Sequence, residues 1–201
     1  FGLIFHPELA SLCEQAFVAT LGEARRLQPA VWIARLRDIS DWWREKANFA
    51  VDIFQTGAGL RLSFACSARA TVLVKGLATS DAGRAWDGPY YQLKTATLDT
   101  PAEPRPFIGL PSDVPKHIIT FLQEQGYILD IGETASCCGT YLGNDTLARL
   151  TSEVELINYV EASTAPLVRF WRWPDGAKSA LSVTGDLDAL TLLDYASRLF
   201  A

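Results

Sequence analysis

The chain has 201 residues, of which 49% are hydrophobic and 20% are charged, and its formal net charge is -5. This composition can bury a substantial core, so we expect a globular protein of one or two small domains and exclude a disordered segment. Because Lys and Arg form no dense cluster, nucleic acid and anionic membrane surfaces are not expected partners. No apolar run reaches the length of a membrane span, and the first residues lack the order of a signal peptide.

The first residue is Phe and the sequence contains no Met, so Phe1 is not a retained initiator. We therefore expect the chain to be a fragment of a longer protein. The four cysteines are Cys13, Cys66, Cys137 and Cys138. Their spacing matches neither a disulfide framework nor a zinc-ligand pattern. We interpret them as reduced structural residues, which favours a cytoplasmic location.

The first part of the chain is predicted to be mainly helical. A short apolar strand is predicted at residues 1–5, and apolar residues then recur at helical spacing over residues 8–26. A second helix is predicted over residues 31–46, because Trp32, Leu36, Ile39 and Trp43 share one face.

Strand-like alternation replaces the helical pattern from residue 48 onward. The predicted elements are strands at 49–54 and 60–64 around a turn at 56–59, a strand at 71–74, a loop at 79–88 and a strand at 90–98. Residues 100–106 contain three prolines and are the predicted linker. The sequence therefore predicts a small antiparallel sheet that contains a hairpin.

Strands and helices alternate in the last part of the chain. The predicted elements are a strand at 107–110, a helix that begins at 111–113 and ends at Gly126, an extended segment at 127–131, a helix at 151–162, an extended segment at 166–170, a strand at 179–184 and a helix at 189–200. The predicted fold class is mixed α+β, with N-terminal helices, a small antiparallel sheet and C-terminal alternation of strands and helices.

Two carboxylates, Asp186 and Asp188, follow the last predicted strand at a strand-to-helix junction. Such a junction presents polar side chains to a crevice, and a spacing of two residues in an extended chain points both the same way. The pair would suit a shared metal or proton transfer, since neighbouring like charges raise one pKa. The structural alternative makes Asp188 the N-cap of the last helix and Asp186 a solvated turn residue.

His6 lies where the first predicted strand ends, which suits a catalytic acid, although a lone His there is also a common capping or packing residue. Four aromatic residues are candidates for stacking on sugar rings, because flat rings match the apolar faces of pyranoses; the alternative is a core role. They are Trp171, Trp173, Tyr90 and Tyr91. The sequence has no Gly-rich phosphate loop, nucleophile elbow or paired-His metal motif.

The segment Trp173-Pro174-Asp175-Gly176 and the following residues 177–189 resemble the first conserved strand of the polysaccharide deacetylase (NodB-like) family. Residues 1–7 are similar to that family's last catalytic strand, and the helix near 31–43 resembles the one that follows it. The resemblance implies a metal-dependent carbohydrate deacetylase. In it Asp186 would be the base, Asp188 a ligand of a divalent metal such as zinc, and His6 the general acid.

The two matching ends occur in inverted order, and the family's histidine pair is absent. We therefore expect a C-terminal portion of a longer protein, inactive as an isolated chain. Its expected segments are a helical segment resembling the end of a deacetylase barrel (1–47), a small antiparallel β region (48–99) and an α/β region (106–201). The expected partners are a carbohydrate or polysaccharide and the missing N-terminal catalytic portion.

A competing hypothesis is a non-catalytic accessory module that binds carbohydrate or docks on a catalytic domain. The four aromatic residues and the central sheet motivate it. A purely structural domain is the third possibility.

Overall fold

The structure is a computed structural model that describes residues 2–5, 10–27, 30–78 and 82–185. Within these residues it combines helices with several small sheets, which confirms the mixed α+β class. The elements are β1 (Gly2–Phe5), α1 (Ala10–Arg26), β2 (Val31–Ile33), α2 (Leu36–Lys46), β3 (Ala50–Thr56), β4 (Gly59–Ala65), β5 (Val72–Lys75), β6 (Ala82–Ala85), β7 (Tyr91–Leu93), β8 (Thr97–Thr100), β9 (Arg105–Leu110), α3 (Lys116–Glu124), β10 (Leu129–Ile131), a 3₁₀ helix (Glu133–Cys137), β11 (Cys138–Tyr141), α4 (Asn144–Arg149), α5 (Glu153–Ala162), β12 (Leu167–Phe170) and β13 (Ser179–Gly185).

The chain divides into two compact units. The first comprises Phe1–Trp43 and Ala177–Ala201, and the second comprises Arg44–Gly176. The segments 48–99 and 106–201 expected from the sequence share a sheet, because β12 pairs with β5. The proline-rich stretch joins β8 to β9 inside the second unit.

A parallel three-stranded sheet organises the first unit. Its strand order is β1-β13-β2, so the last strand in sequence is the central one. β1 pairs with residues 182–185 of β13, and β2 pairs with residues 179–181. Ala180, Leu181 and Ser182 are buried, as expected for a central strand made of a continuous apolar run.

The second helix begins later than the sequence pattern predicts. Residues 31–33 form β2, and α2 begins at Leu36, so the helix prediction is wrong for residues 31–35. Val, Trp and Ile side chains favour a strand when a neighbouring strand satisfies the backbone. The Asp38 carboxylate accepts a hydrogen bond from the Arg35 backbone N–H at 3.1 Å, which caps the helix at its observed start.

Three small sheets build the second unit. The strand orders are β3-β4-β8 and β12-β5-β7-β6 in the antiparallel sheets and β10-β9-β11 in the parallel sheet. The predicted hairpin is confirmed, since β3 and β4 pair from Ala50 opposite Ala65 to Thr56 opposite Gly59.

Two predictions in the middle of the chain are wrong in part. The predicted loop at 79–88 contains β6, and the predicted strand at 90–98 divides into β7 and β8, which belong to different sheets. Gly83 permits the pairing of β6 with β7, because a Cβ there would lie 2.7 Å from the Gln92 carbonyl oxygen. β11 and α4 are absent from the sequence-based prediction, since their short, polar segments carry little periodicity.

Helices α3 and α5 lie close to their predicted positions. The chain leaves α3 at Gly126, whose φ of 90° is in the left-handed region that favours glycine. α5 begins after Ser152, whose Oγ accepts a hydrogen bond from the Glu155 backbone N–H at 3.2 Å.

Two clusters of buried side chains form the core of the second unit. Adjacent residues of β5 and β12 point into different clusters: Val74 and Val168 into the first, and Leu73 and Leu167 into the second. Successive side chains of a strand lie on opposite faces, so these two paired strands form the wall between the clusters.

Candidate functional site

The carboxyl ends of β1 and β13 lie side by side in the first unit. The two strands are parallel, and Phe5 is opposite Gly185 at the end of the register. Both strands therefore end at the same edge of the sheet, where side chains that follow parallel strands commonly form a site.

The predicted catalytic residues follow these strand ends in the sequence. His6 comes directly after Phe5, and Asp186 comes directly after Gly185, with Asp188 two residues further. All three lie outside the residues that the structure describes, as does the predicted helix at 189–200. Their roles stay predictions.

The turn that precedes β13 is held by a charged pair in the second unit. Asp175 has a φ of 54°, which Asp tolerates better than most residues. Its backbone N–H donates to the Arg69 carbonyl oxygen at 2.8 Å. The Arg69 Nε and Nη2 atoms donate to Asp175 Oδ2 at 3.0 and 2.7 Å. The turn at Asp175 is thus fixed to the loop between β4 and β5.

The four aromatic candidates have different environments and do not form one exposed platform. Tyr90 is 6% exposed and belongs to the second core cluster. Trp171 packs against the same cluster and against Trp86, with ring centroids 5.4 Å apart and an interplanar angle of 70°. Trp173 is half-buried, with the Arg172 guanidinium 5.8 Å from its ring centroid. Tyr91 is 47% exposed on β7.

A buried charged cluster, here called the Arg169 cluster, lies in the second unit. It consists of Arg169 on β12, Lys75 at the end of β5, Glu161 in the last turn of α5, and the tyrosines Tyr90 and Tyr127. Arg169 Nη1 donates to Glu161 Oε1 at 2.8 Å and to the Tyr127 hydroxyl at 3.1 Å. The hydroxyls of Tyr127 and Tyr90 both donate to that same Glu161 oxygen.

The cations of the Arg169 cluster also bind the C-terminal ends of two helices. Arg169 Nη2 donates to the carbonyl oxygen of Gln125, the C-cap of α3, at 2.6 Å. Lys75 Nζ donates to the carbonyl oxygens of Val160 and Glu161 at 3.2 and 3.3 Å, near the end of α5. Positive charge is favourable there because the helix dipole is negative at its C-terminus.

Burial controls the protonation of these groups. It lowers the pKa of Lys75, although the Glu161 carboxylate 3.6 Å from Nζ acts in the opposite direction. It raises the pKa of Tyr90 and of Tyr127, so both phenols stay protonated as hydrogen-bond donors. Nearby, Lys46 Nζ donates to the Glu124 carbonyl oxygen at 3.0 Å, and burial lowers the pKa of Lys46 to about 8. These groups bind one another and helix ends, which fits a structural role.

The Arg169 cluster was not identified from the sequence. The available signal was a charged residue inside an otherwise apolar strand, as in Leu167-Val168-Arg169-Phe170 and in the run that ends at Lys75. Such a residue is seldom buried unless it is paired. The sequence gives no indication that Glu161 is its partner.

A second buried ion pair joins Arg105 to Asp130 beside the adjacent cysteines. Cys138 Sγ lies 3.7 Å from Asp130 Oδ2, and burial together with that carboxylate raises the pKa of the Cys138 thiol to about 12. A protonated thiol is a poor nucleophile. None of the four cysteines forms a disulfide; Cys138 is buried, whereas Cys13 is exposed.

An open cleft with a volume of 470 Å³ lies between the β3–β4 turn and the end of β8. Leu60 and Thr100 contribute to its lining, and the Arg61–Asp99 ion pair lies on its wall. None of the predicted site residues lines this cleft.

Within the described ranges, no group of three His, Cys, Asp or Glu side chains could hold a metal ion. No helix in this part of the chain has both the length and the apolar character needed to cross a membrane. Comparisons with protein-family models, curated proteins and solved structures found no match.

Proposed function

We propose that this chain contributes catalytic residues to a metal-dependent polysaccharide deacetylase, which hydrolyses acetyl groups on sugars. The supporting observation is the parallel pairing of β1 with β13. Phe5 and Gly185, the residues before His6 and Asp186, are directly opposite each other. Two segments that resemble two motifs of one active site, and whose paired residues are 180 positions apart in the sequence, are thus neighbouring strands.

The donor types of the proposed site are compatible with a divalent metal. Carboxylates are common ligands of divalent metals, and with His6 as the acid and Asp186 as the base, Asp188 is the one ligand that the proposal names; the other ligands would come from the expected N-terminal catalytic portion. In the proposal Asp188 holds the ion, which would supply a water of lowered pKa as the nucleophile. Asp186 accepts the proton of that water, and His6 donates a proton to the amine that leaves when the acetyl group is cleaved.

Zinc binding by calorimetry tests the proposal on the 201-residue chain. We expect binding that is lost in Asp188→Ala and weakened in Asp186→Ala. Asp145→Ala removes a carboxylate from α4 and serves as the matched control, which should bind like the wild type. Equal binding by all four proteins, or no binding by the wild type, would contradict a metal site at Asp188.

A second candidate function is carbohydrate binding by a non-catalytic module. The exposed ring of Tyr91 favours it, since an open aromatic face can stack on a pyranose. Trp173, which is half-buried beside the Arg172 guanidinium, is the second candidate. An N-acetylglucosamine pentamer titrated against the chain should quench tryptophan fluorescence if Trp173 is involved. Tyr91→Ala and Trp173→Ala should then weaken binding, whereas Tyr159→Ala, which removes a comparably exposed ring on α5, should not.

A further inference from the structure

Strand β3 is an unusually open edge of the second unit. It has seven residues, and all but Val51 are exposed. It lies at the end of the sheet order β3-β4-β8, with β4 as its one neighbour in the described part of the chain. Ile53 and Phe54 are 40% and 54% exposed, on opposite faces of the strand.

The backbone groups of three β3 residues point away from β4. The Phe64 N–H donates to the Ala96 carbonyl oxygen at 2.9 Å, on the β8 side of β4. Phe64 is opposite Val51 in the β3–β4 pair. Because the backbone of Phe64 bonds to β8, Phe64 and Val51 form no backbone hydrogen bonds with each other. Such pairs alternate with bonded pairs in an antiparallel ladder, so Val51, Ile53 and Gln55 direct their N–H and C=O groups outward.

The other edge of the same sheet is protected in ways that β3 is not. β8 has four residues, ends immediately before Pro101, and carries Asp99, which is paired with Arg61. Short strands, prolines and charges are the usual means of preventing edge-to-edge pairing. β3 has no proline, keeps an unbroken register with β4, and has Asp52 as its single charge.

We infer that β3 pairs in antiparallel orientation with β3 of a second copy of this chain. A two-fold axis through Ile53 places Ile53 opposite Ile53 of the second copy and Val51 opposite Gln55 of the second copy. Each of these pairs can then exchange backbone hydrogen bonds between the two copies. Asp52 is opposite Phe54, so no like charges face each other. The strand is thus its own complement in hydrogen bonding, and its single charge faces an apolar ring. The contact is small, so the dimer is reversible.

Charge-swapped variants test this dimer by sedimentation velocity over a concentration series. Ile53→Lys places two ammonium groups opposite each other, and Ile53→Glu places two carboxylates there, so each variant alone should be monomeric. An equimolar mixture should dimerise again, because the opposite charges then face each other. Ile53 does not belong to the packed core clusters, so both variants should fold.

The matched control is Phe54→Lys, which introduces the same charge one residue away. It faces Asp52 of the second copy, so dimerisation should persist. Gln55→Pro removes an outward N–H without adding charge and should weaken the dimer at least tenfold. A wild-type chain that stays monomeric into the high micromolar range overturns the inference. So does a dimer that survives both Ile53 variants, or a mixture of them that stays monomeric although circular dichroism shows both to be folded.

Discussion

The Arg169–Glu161 and Arg61–Asp99 pairs have nearly the same nitrogen–oxygen distance in two different environments, although the exposed pair has two hydrogen bonds between its partners and the buried pair one. Their closest nitrogen–oxygen distances are 2.8 and 2.7 Å. The side chains of the first pair are 11% and 29% exposed, and those of the second are 54% and 64% exposed. Distance alone therefore does not distinguish a pair on which folding depends from one on which it does not.

The difference lies in what replaces water around each charge. Exposed partners are well solvated when separated, so their attraction contributes little. Buried partners have lost their hydration, and removing one leaves the other charged in a medium of low dielectric. In the Arg169 cluster, two phenols, helix carbonyls and Lys75 take the place of water. The predictions below test this comparison in order of expected effect.

Arg169→Met should reduce the free energy of unfolding by about 3 kcal/mol, because it leaves the Glu161 carboxylate without its closest cation. This value is the lower end of the range for breaking a buried pair, since Lys75 still lies near Glu161. Urea denaturation measures the change. Arg84→Met, on exposed β6, is the matched control and should behave like the wild type. A loss in Arg169→Met no larger than in the control would show that burial does not strengthen the pair.

Lys46→Met should change the pH dependence of stability. The pKa of Lys46 is about 8 in the folded chain against an ordinary 10.5, so the unfolded state binds more protons between these values. Stability of the wild type should therefore gain up to about 3 kcal/mol from this group as pH rises from 8 towards 10.5. The variant should lack this gain.

The measurement is the wild-type minus variant free energy of unfolding from pH 7 to pH 10. The upper limit avoids the buried tyrosines, whose raised pKa values make stability fall above pH 10. Lys75 is present in both proteins and cancels in the difference. Lys116→Met, at an exposed position of α3, should show a flat difference. An equally flat difference for Lys46→Met would contradict burial of the ammonium group.

Tyr127→Phe should destabilise the chain by about 1–2 kcal/mol, because it removes one hydrogen bond to Glu161 and one from Arg169 while the ring keeps its packing. Tyr159→Phe removes an exposed hydroxyl from α5 and is the control. The loss of stability caused by Tyr127→Phe should be smaller when the substitution is made in Arg169→Met, since Tyr127 and Arg169 both bind Glu161. Additive losses in the double variant would argue against a coupled cluster.

Arg61→Met should leave the free energy of unfolding unchanged within error. Its clear effect should be on the pKa of Asp99, which the Arg61 hydrogen bonds hold below the ordinary 3.8. That pKa should return to its ordinary value in the variant, as measured by NMR titration of the carboxyl carbon. A large loss of stability in this exposed pair would break the comparison with the Arg169 cluster.

Local sequence patterns determined the fold class and most of the long elements. The hairpin of β3 and β4, the apolar strands β5, β9 and β13, and helices α1, α3 and α5 all show the periodicity of the element that they form. Residues 31–33 were misassigned because their pattern continues into α2, and pairing with β13 is what makes them a strand. β6 was missed since its pairing depends on Gly83 and on a strand formed later in the chain.

The tertiary structure alone decided which distant residues meet. Strand pairing joins residues 2–5 to residues 182–185, and nothing local in either segment encodes the other. The same holds for Glu161, which is an ordinary acidic residue of α5 until packing brings it to Arg169 and Tyr127. Hydrophobic periodicity in the sequence indicates which side of a helix or strand faces the core. A contact between two buried polar side chains depends instead on how whole helices and strands pack against each other. The sequence could therefore identify His6 and Asp186 as strand-end residues, but only the parallel register of β1 and β13 makes those two strand ends neighbours.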